Sequence, residues 1–413
     1  MDLLDHMNKN RLSIIIPAYN EEEAIAAIIE RCLKEREHIV KETPVEEVEI
    51  IVVNDGSRDR TAEIVKGFGE KVKLINFEKN RGYGAALKAG FEEASGDLVS
   101  FLDADGTCDP KFFIDLCNKL LNENADIAIG SRLGPGNMMP LLRRMGNKAY
   151  VLLINLLGRI KITDSASGMR VIRKNSLLRI YPLPDGLHFT PAMSSRAAMD
   201  ESIKIVEVPI SYHERKGESK LSVVHDGIRF LKTIIDIALI YEPLRFFSSL
   251  GVLLLLLAIG YGIYPLLYYL RFKMIPEYMI YRLITITTLL FASFTMFAVG
   301  IISEQISDLI MNKRRVRGVL KELIYFLFSQ KKLIISGPMV ALSGIVLNYK
   351  TIWQYFSMGK IYIHWVYIVT GAFLFLVGLQ ALALGVLERI LLTLREKKIF
   401  QGEYLRRLTQ RGE

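Results

Sequence analysis

The sequence predicts an α/β head of Rossmann type followed by an α-helical membrane domain. Up to about residue 130, short apolar runs alternate with helix-like stretches, which is typical of a parallel sheet covered by helices on both faces. Beyond Phe246, long uncharged segments reach the length of membrane spans. Because 51% of the 413 residues are apolar and the formal net charge is +9, the composition excludes both a disordered chain and an ordinary soluble domain.

The strands of the head are predicted from apolar or β-branched runs that end at turn residues. In chain order the runs are LSIIIPA (12–18), VEIIVVND (48–55), VKLINF (72–77), DLVSFLDAD (97–105), ADIAIGSR (125–132), MRVIRK (169–174) and IVEVPISY (205–212). Helices are expected at Glu21 to Glu37, Asp59 to Gly67, Tyr83 to Ala94, Pro110 to Asn122 and Asn147 to Leu157. Ligands of such sheets bind outside the carboxyl ends of the strands, so PAYNE, NDGSRD and DADGT should share one edge.

The C-terminal half is predicted to cross the membrane four times. The predicted spans are Phe247 to Leu270, Tyr281 to Ser303, Leu333 to Tyr349 and Ile363 to Leu387. Basic residues concentrate between spans two and three and in the tail, so the positive-inside rule places the head and both termini in the cytoplasm. The domains are therefore a head (1–221), juxtamembrane amphipathic helices in the lipid interface (222–246), the membrane domain (247–387) and a basic tail (388–413).

The three cysteines argue against two kinds of framework. Cys32, Cys108 and Cys117 are odd in number and form no C-x-x-C pair, so neither a disulfide scaffold nor a zinc site is expected. The apolar stretch after the polar amino terminus ends at Pro17 and is too short for a signal peptide. We therefore expect buried thiols in a reducing compartment.

The triplet Asp103-Ala104-Asp105 at the end of the fourth strand is a candidate metal site. Two carboxylates, together with water and a substrate diphosphate, complete an oxygen shell around Mg²⁺ or Mn²⁺. The alternative is that aspartates at a strand end only cap the next helix, as Asp109 before Pro110 suggests. The triplet alone does not decide between these interpretations.

Neighbouring strand ends carry further polar side chains. Asp55 is placed to accept hydrogen bonds from a base or ribose, or else belongs to a plain turn in which Asp59 caps the next helix. Tyr19 and Glu21 are candidates to hold a nucleotide. The turn NRGYGAALKAG has Leu87 where G-x-G-x-x-G requires its last glycine, and it is not a P-loop, which argues against dinucleotide-binding and NTPase folds.

Five motifs together resemble a known family. SIIIPAYNEE, VVNDGSRDRT, NRGYGAALKAGFEEASGDLVSFLDADG, DSASGMRVIRK and ERKGESKLS are similar, in order and spacing, to the nucleotide-sugar-dependent glycosyltransferases of family 2. The similarity is strongest to the polyprenyl-phosphate branch, which includes dolichol-phosphate mannose synthases and polyprenyl-phosphate glucosyltransferases. It covers roughly residues 11–225 and implies a GT-A fold, a UDP- or GDP-sugar donor, an inverting transfer and a Mg²⁺ or Mn²⁺ cofactor.

The resemblance assigns roles to matching positions. It implies a nucleotide-sugar site formed by Pro17, Ala18, Tyr19, Glu21, Asp55, Arg81, Gly82, Asp103, Ala104 and Asp105. Asp103 and Asp105 would also bind the metal. Dolichol-phosphate mannose synthases often have glutamine as a further ligand where this chain has Thr107, and a threonine hydroxyl is a poorer ligand.

Basic residues are expected to hold the acceptor, because a lipid phosphate must approach the donor diphosphate against charge repulsion. The region that binds the lipid phosphate in this branch matches Ser131, Arg132, Arg143 and Arg144, with the choice between the last two open. A second candidate cluster consists of Arg215, Ser219 and Lys220 in ERKGESK. The alternative for the basic residues is a solvated face attracted to anionic lipids.

Asp164 opens DSASGMR and completes the expected catalytic set of Asp103, Asp105 and Arg132. An alcohol acceptor needs a base to remove its proton, whereas a phosphate acceptor is already ionised near neutral pH. Asp164 is therefore expected to orient neighbouring residues or the sugar, and the alternative is a buried structural aspartate.

The predicted function is transfer of one sugar to polyprenyl (dolichyl or undecaprenyl) phosphate at the cytoplasmic membrane face, giving a lipid-linked sugar donor for glycan or glycoprotein assembly. The expected partners are the donor, the lipid phosphate and the bilayer, without nucleic acid, and a homo-oligomer is left open. One alternative is a processive polysaccharide synthase, whose Q-x-x-R-W motif is absent here. The other is a lipid-sugar flippase or scaffold, disfavoured because the predicted spans hold no carboxylate or lysine pairs.

Overall fold

The computed structural model describes residues 10–133, 138–213, 223–311 and 319–409. The chain divides into two compact units, a head (Met1–Tyr241) and a membrane unit (Glu242–Glu413). The strands of the head are β1 (Arg11–Ala18), β2 (Glu47–Asn54), β3 (Lys73–Asn76), β4 (Leu98–Leu102), β5 (Ile127–Ser131), β6 (Met169–Arg173) and β7 (Ile205–Pro209). Its helices are α1 (Ile25–Glu42), α2 (Thr61–Lys66), α3 (Tyr83–Glu93), α4 (Phe112–Asn122), α5 (Leu141–Leu157), α6 (Lys174–Ile180), α7 (Phe189–Met199) and α8 (Val223–Tyr241).

The seven strands form one mixed sheet in the order β3-β2-β1-β4-β6-β5-β7. β1 to β4 pair in parallel, as predicted. β6 lies beyond the first 130 residues, for which the parallel sheet was predicted, and it runs antiparallel between β4 and β5, with Met169 opposite Leu102. Because β6 begins where β4 ends, the loop before it (164–168) reaches the same sheet edge as Asp103.

The core of the head lies on both faces of this sheet. All but the first residue of β1 are buried, because β1 lies near the middle of the sheet. α1 packs on the sheet through Ile25, Ile28, Ile29 and Cys32, which lie on one face of the helix. The three cysteines are buried free thiols, and burial raises the pKa of each to about 12.

Several element boundaries differ from those predicted. α1 begins at Ile25, because residues before it form a turn in which the Glu21 carbonyl accepts the N–H groups of Ala24 and Ile25. α6 and α7 were not predicted from the sequence. The predicted amphipathic segment (222–246) is divided between two helices. α8 ends at Tyr241 in the head, and the next helix begins at Pro243, a residue favoured at a first helical position.

The membrane unit contains the four predicted long helices. Its helices are α9 (Pro243–Phe272), α10 (Ile280–Met311), α11 (Val319–Leu327), α12 (Gln330–Met358) and α13 (Trp365–Thr409). All except α11 are long and apolar enough to cross a membrane, which confirms four candidate spans. The tail predicted to be separate from residue 388 continues α13 as one helix.

Carboxylates do occur in these longer helices. Glu304 and Glu388, each one residue beyond a predicted span end, are buried in the membrane unit. Gln305 Nε2 donates to Glu388 Oε1 at 3.2 Å. The prediction that the spans contain no carboxylates therefore holds for the predicted spans but not for the longer helices that contain them.

Glycines allow α12 and α13 to pack backbone against backbone. A Cβ atom added to Gly378 would lie 2.3 Å from the Ala341 nitrogen, and one added to Gly344 would lie 2.5 Å from the Gly371 carbonyl oxygen. Small residues at helix contacts are a common means of association in membranes. The third span was the shortest predicted. It lies in α12, a helix of 29 residues that continues through Pro338.

Gly378→Val is expected to destabilise the membrane unit by about 1–3 kcal/mol, because the added side chain overlaps the α12 backbone. The measurement is the thermal unfolding midpoint of the purified full chain in detergent. Gly260→Val in α9 is the matched control, since a Cβ there meets nothing within 4 Å. Equal midpoints for the two variants would contradict the close packing of α12 and α13.

Candidate active site

A cavity of about 420 Å³ opens at the carboxyl edge of the sheet. The predicted residues that line it are Pro17, Ala18, Tyr19, Glu21, Asp55, Gly82, Asp103, Ala104, Asp105, Arg132 and Arg143. They come from the ends of β1, β2, β4 and β5, from the start of α3, and from α5. Nearly the whole predicted nucleotide-sugar set therefore meets in one cavity, together with two of the predicted acceptor residues.

Asp55 holds the glycine turn that precedes α3. Its carboxylate accepts the backbone N–H groups of Arg81 at 2.6 Å and Gly82 at 2.9 Å. Gly82 has φ +103°, and a Cβ there would lie 2.5 Å from the Asp185 carbonyl oxygen, so only glycine fits. Burial raises the pKa of Asp55 above its ordinary value, although these N–H groups oppose the shift. Asp55 thus belongs both to a turn and to the cavity wall.

Arg81 is the one predicted nucleotide-sugar residue that does not line the cavity. Its guanidinium carbon lies 4.5 Å above the centre of the Phe77 ring, and its side chain is exposed. Its backbone N–H still contributes to the turn held by Asp55.

Asp103 is fixed by two neighbours that the sequence did not reveal. The Tyr83 hydroxyl donates to Asp103 Oδ1 at 2.8 Å. Gly168 approaches so closely that a Cβ there would lie 1.9 Å from Asp103 Oδ2. Burial, followed by the charge of Asp103, raises the pKa of Tyr83 well above its ordinary value, so the phenol remains a donor.

Asp105 is oriented by Thr107. The Thr107 hydroxyl donates to Asp105 Oδ1 at 2.7 Å, and its backbone N–H donates to the same oxygen at 3.1 Å. Thr107 is buried and does not line the cavity. A role for Thr107 as a metal ligand stays a prediction, whereas its contact with Asp105 is direct.

Helix capping does not account for the Asp103 and Asp105 pair, because α4 begins at Phe112 and has no side-chain cap hydrogen bond. Asp109 Oδ1 accepts the Lys111 N–H at 3.1 Å, just before α4, and the same oxygen lies 3.2 Å from Arg31 Nη2. Asp103 and Asp105 instead face the cavity. The third aspartate of the segment therefore belongs to the turn before α4, whereas the first two belong to the cavity.

Asp164 is the fully buried counter-ion of Arg132. Arg132 Nε donates to Asp164 Oδ2 at 2.8 Å, and Arg132 Nη2 donates to Oδ1 at 2.9 Å. The backbone N–H groups of Arg132 and Ala166 and the side-chain amide of Asn147 also donate to this carboxylate. Burial alone would raise the pKa of Asp164, but the charge and hydrogen bonds of Arg132 lower it to about 2. A carboxylate of this kind is a poor general base near neutral pH.

The other predicted acceptor residues have different positions. Arg143 lines the cavity, but Arg144 does not, which favours Arg143 in the choice left open by the sequence. Ser131 is buried beside Thr163, with 2.7 Å between the two hydroxyl oxygens, and does not line the cavity. Arg215, Ser219 and Lys220 lie outside the described residues.

The loop that carries Asp164, which does not itself line the cavity, is supported by a buried arginine. Arg170 on β6 donates to the carbonyl oxygens of Ser165, Ser167 and Thr190 and to the Ser194 hydroxyl. The side chain is completely buried, and burial lowers its pKa to about 10. Arg170 thus ties the loop before β6 to α7.

Several residues that line the cavity were not assigned to the site from the sequence. They are Asn80, Tyr83, Ala86, Ala166, Gly168, Gly186, Leu187, Thr190, Tyr212, Arg229 and Phe230. Residues 184–188 pack on the start of α3, where the Asp185 carbonyl accepts the N–H groups of Gly84 and Ala85. Signals were available for some of them, because NRGYGAALKAG contains Asn80, Tyr83 and Ala86, DSASGMR contains Ala166 and Gly168, and the predicted amphipathic segment contains Arg229.

Comparison with known proteins defines the family. Residues 13–180 match the family "Glycosyl transferase family 2". The chain is 32% identical over 232 residues to a dolichyl-phosphate hexose transferase of Haloferax volcanii, an alignment that covers 55% of this chain and 94% of that protein. This chain belongs to glycosyltransferase family 2. The resemblance found in the sequence is thereby confirmed, and the head has the predicted GT-A fold.

Two further relatives are similar to more than half of this chain. The low-salt glycan biosynthesis hexosyltransferase Agl6 of Haloferax volcanii is 33% identical over 257 residues, covering 60% of this chain and 59% of that protein. The chain thus spans about three fifths of the length of Agl6. A dolichyl-phosphate beta-glucosyltransferase of Saccharomyces cerevisiae is 29% identical over 255 residues, covering 56% of this chain and 75% of that protein.

Proposed function

We propose that this family 2 enzyme transfers one sugar from a UDP- or GDP-sugar, with inversion, to the phosphate of a polyprenol. The observation that carries the proposal is one cavity lined by the carboxylates Asp103 and Asp105 and by the guanidinium groups of Arg132 and Arg143. The carboxylates suit a donor diphosphate with its cation, and the arginines suit a second phosphate. The dolichyl-phosphate relatives support a lipid phosphate as the acceptor.

The residues present fit a divalent cation that binds together with the donor. Asp103 and Asp105 supply carboxylate oxygens, and the described residues contain no group of three or more metal-binding side chains that would hold an ion unaided. Mg²⁺ is usually bound by one or two carboxylates plus substrate phosphates and water. When bound, Mg²⁺ or Mn²⁺ would neutralise charge on the departing nucleoside diphosphate.

The protein's own residues would act mainly by alignment. Tyr19, Glu21 and Asp55 line the part of the cavity proposed for the nucleoside, at the ends of β1 and β2. An oxygen of the lipid phosphate would form the new bond to the anomeric carbon as the bond to the donor diphosphate breaks. Since the phosphate is already ionised, no base is needed, and Asp164 would serve to hold Arg132 in place.

The enzyme is a membrane protein, and we propose that its head and both termini are cytoplasmic. Basic residues of the tail, including Arg389, Arg395 and Lys398, follow the predicted span that ends at Leu387, and the positive-inside rule favours a cytoplasmic end there. A nucleotide-sugar donor is available on that side. Protease or cysteine-labelling access to the tail in sealed vesicles would test this orientation.

The proposed function is tested by sugar transfer into the lipid phase. Purified full-length protein in detergent would receive radiolabelled UDP- or GDP-sugars, Mn²⁺ and either polyprenyl phosphate or the matching polyprenol. We expect organic-extractable label with the phosphate and none with the alcohol. Label with the alcohol, or none with any donor, would contradict the proposal.

Tyr83→Phe is expected to weaken Mn²⁺ binding and lower kcat/KM about tenfold, because Asp103 loses a hydrogen-bond donor in a buried site. Mn²⁺ affinity in the presence of UDP or GDP would be measured by electron paramagnetic resonance. Tyr241→Phe is the matched control, since its hydroxyl contacts Arg196 and it does not line the cavity. Unchanged Mn²⁺ affinity in Tyr83→Phe would show that the phenol does not position Asp103.

A further inference from the structure

We propose that Arg229 on α8 binds the phosphate of the lipid acceptor, so that the amphipathic helix contributes directly to the active site. This inference rests on the proposed function and adds a residue to it. Arg229 lines the same cavity as Asp103 and Asp105, and its neighbour Phe230 lines it as well. Within the described part of the chain, the lining cations are Arg132, Arg143 and Arg229.

α8 is held firmly enough to position an arginine. The Tyr150 hydroxyl of α5 donates to the Gly227 carbonyl at 2.9 Å, two residues before Arg229. The rings of Tyr150 and Phe230 meet edge to face, with centroids 6.0 Å apart. Behind them Ile234 of α8 packs with Ile154 of α5 in a small buried cluster. The backbone around Arg229 is therefore fixed on the same helix, α5, that carries Arg143.

The guanidinium of Arg229 lies near Gly186, another residue that lines the cavity. Its Nη1 would lie 3.9 Å from a Cβ placed on Gly186, which lines the cavity in the segment 184–188. Its Nη2 lies 3.0 Å from His225 Nε2, and its Nη1 lies 3.6 Å from Asp226 Oδ1. Its side chain is 45% exposed, so a ligand can reach it.

The three cavity arginines differ in their freedom to bind an anion. The fork of Arg132 is committed to Asp164 through two hydrogen bonds, and Asp164 is completely buried. Within the described residues, the Arg229 guanidinium contacts His225 at 3.0 Å and Asp226 at 3.6 Å, both on its own helix, and neither contact engages its fork as Asp164 engages that of Arg132. Arginine suits a phosphate because its planar fork donates two parallel hydrogen bonds. Arg229 therefore offers a charge that the Arg132 and Asp164 pair does not.

The surroundings of Arg229 suit a phosphate attached to an apolar chain. Ile228 and Leu231 are 65% and 42% exposed on the same helix. An arginine flanked by exposed apolar side chains binds the head of an amphiphile while the helix surface covers part of its chain. A site for free inorganic phosphate would not need these apolar neighbours, so we commit to a lipid phosphate.

The experiment measures equilibrium binding of farnesyl phosphate, farnesol and inorganic phosphate to the purified full chain in a neutral detergent. Arg229→Gln is expected to weaken farnesyl phosphate binding about tenfold, the effect of losing a charged hydrogen bond. Binding of farnesol, and of UDP or GDP with Mn²⁺, should change less than about twofold. Lys232→Gln is the matched control, with the same charge change on the same helix at an exposed position outside the cavity lining.

Each outcome decides the inference. If Arg229→Gln binds farnesyl phosphate as tightly as the wild type, the inference is overturned. If Lys232→Gln loses as much affinity as Arg229→Gln, the inference is also overturned, because binding then depends on a diffuse basic face. Failure of the wild type to prefer farnesyl phosphate over farnesol and inorganic phosphate would also overturn it. Arg229→Lys should bind with intermediate affinity, and thermal unfolding checks that each variant is folded. If binding depends on Arg229 but no sugar is transferred, only the proposed function fails.

Discussion

Asp105→Asn is expected to reduce sugar transfer at least about a hundredfold while the protein stays folded, because the substitution removes a carboxylate charge proposed to bind the cation of the donor diphosphate. The shape of the side chain is kept, and the amide oxygen can still accept the N–H and hydroxyl of Thr107. The measurement is kcat/KM with the preferred nucleotide sugar in Mg²⁺ and in Mn²⁺. The unfolding midpoint should stay close to that of the wild type.

Asp109→Asn is the control for this prediction. Asp109 is four residues away, is also an aspartate after β4, and contacts Arg31 and the Lys111 N–H outside the cavity lining. Its substitution should cost only about 0–1 kcal/mol of stability, as for other partly exposed ion pairs, and leave kcat/KM nearly unchanged. Normal turnover in Asp105→Asn would contradict the proposal that the Asp103 and Asp105 pair binds the donor diphosphate with its cation.

Asp164→Asn is expected to produce a second large effect, on stability as well as activity. Removing one partner of a buried ion pair leaves an uncompensated charge, which costs about 3–5 kcal/mol. Arg132, which lines the cavity, would also lose the carboxylate that fixes its fork. We expect a lower unfolding midpoint and a kcat/KM reduced through the acceptor KM. Glu93→Gln, which breaks the exposed pair with Lys73, should leave the unfolding midpoint nearly unchanged.

The pH dependence of this effect follows from the lowered pKa of Asp164. Its pKa is about 2 in the folded protein, against an ordinary value of 3.8, so the ionised form stabilises the fold. This contribution is fully present above the ordinary pKa and is lost as the pH falls towards 2. The stability difference between wild type and Asp164→Asn should therefore be constant from neutral pH to about pH 5 and shrink below about pH 4. A difference that titrates near neutral pH would contradict the assignment.

An Arg132→Met and Asp164→Asn double-mutant cycle separates the pair from its surroundings. If the two side chains act as one unit, the double variant should be little worse than the worse single variant, since no unpaired charge remains. Additive losses would mean that Asp164 supports the loop before β6 mainly through Asn147 and Ala166, which also donate to it.

The sheet edge could be predicted because it depends on local sequence. Each strand is a short apolar run with a polar residue at its end, so Asp55 and Asp103 were placed at one edge of the sheet without a structure. The five motifs then identified the family. The four spans were equally accessible, because length and apolar composition alone define them.

The remaining features depend on contacts between distant segments. The antiparallel course of β6 follows from how the chain returns after α5, and nothing in MRVIRK indicates direction. Tyr83 looks like an ordinary residue in the first turn of a helix until its hydroxyl is seen at Asp103. Arg143 and Arg144 are adjacent and chemically identical, and only the orientation of α5 shows which one lines the cavity. Arg229 was assigned to a lipid-facing helix because α8 has helical apolar spacing, which carries no information about the cavity.

The mass of the lipid product is the most direct test of the proposed reaction. Purified full-length protein would be incubated with its preferred nucleotide sugar, Mn²⁺ and polyprenyl phosphate, and the extracted lipids analysed by mass spectrometry. We predict one new species, heavier than polyprenyl phosphate by one sugar residue, and its absence with Asp105→Asn. A ladder of several sugars would indicate a processive polymerase, and an added sugar phosphate would indicate a different bond cleavage. Either product would contradict single-sugar transfer to a lipid phosphate.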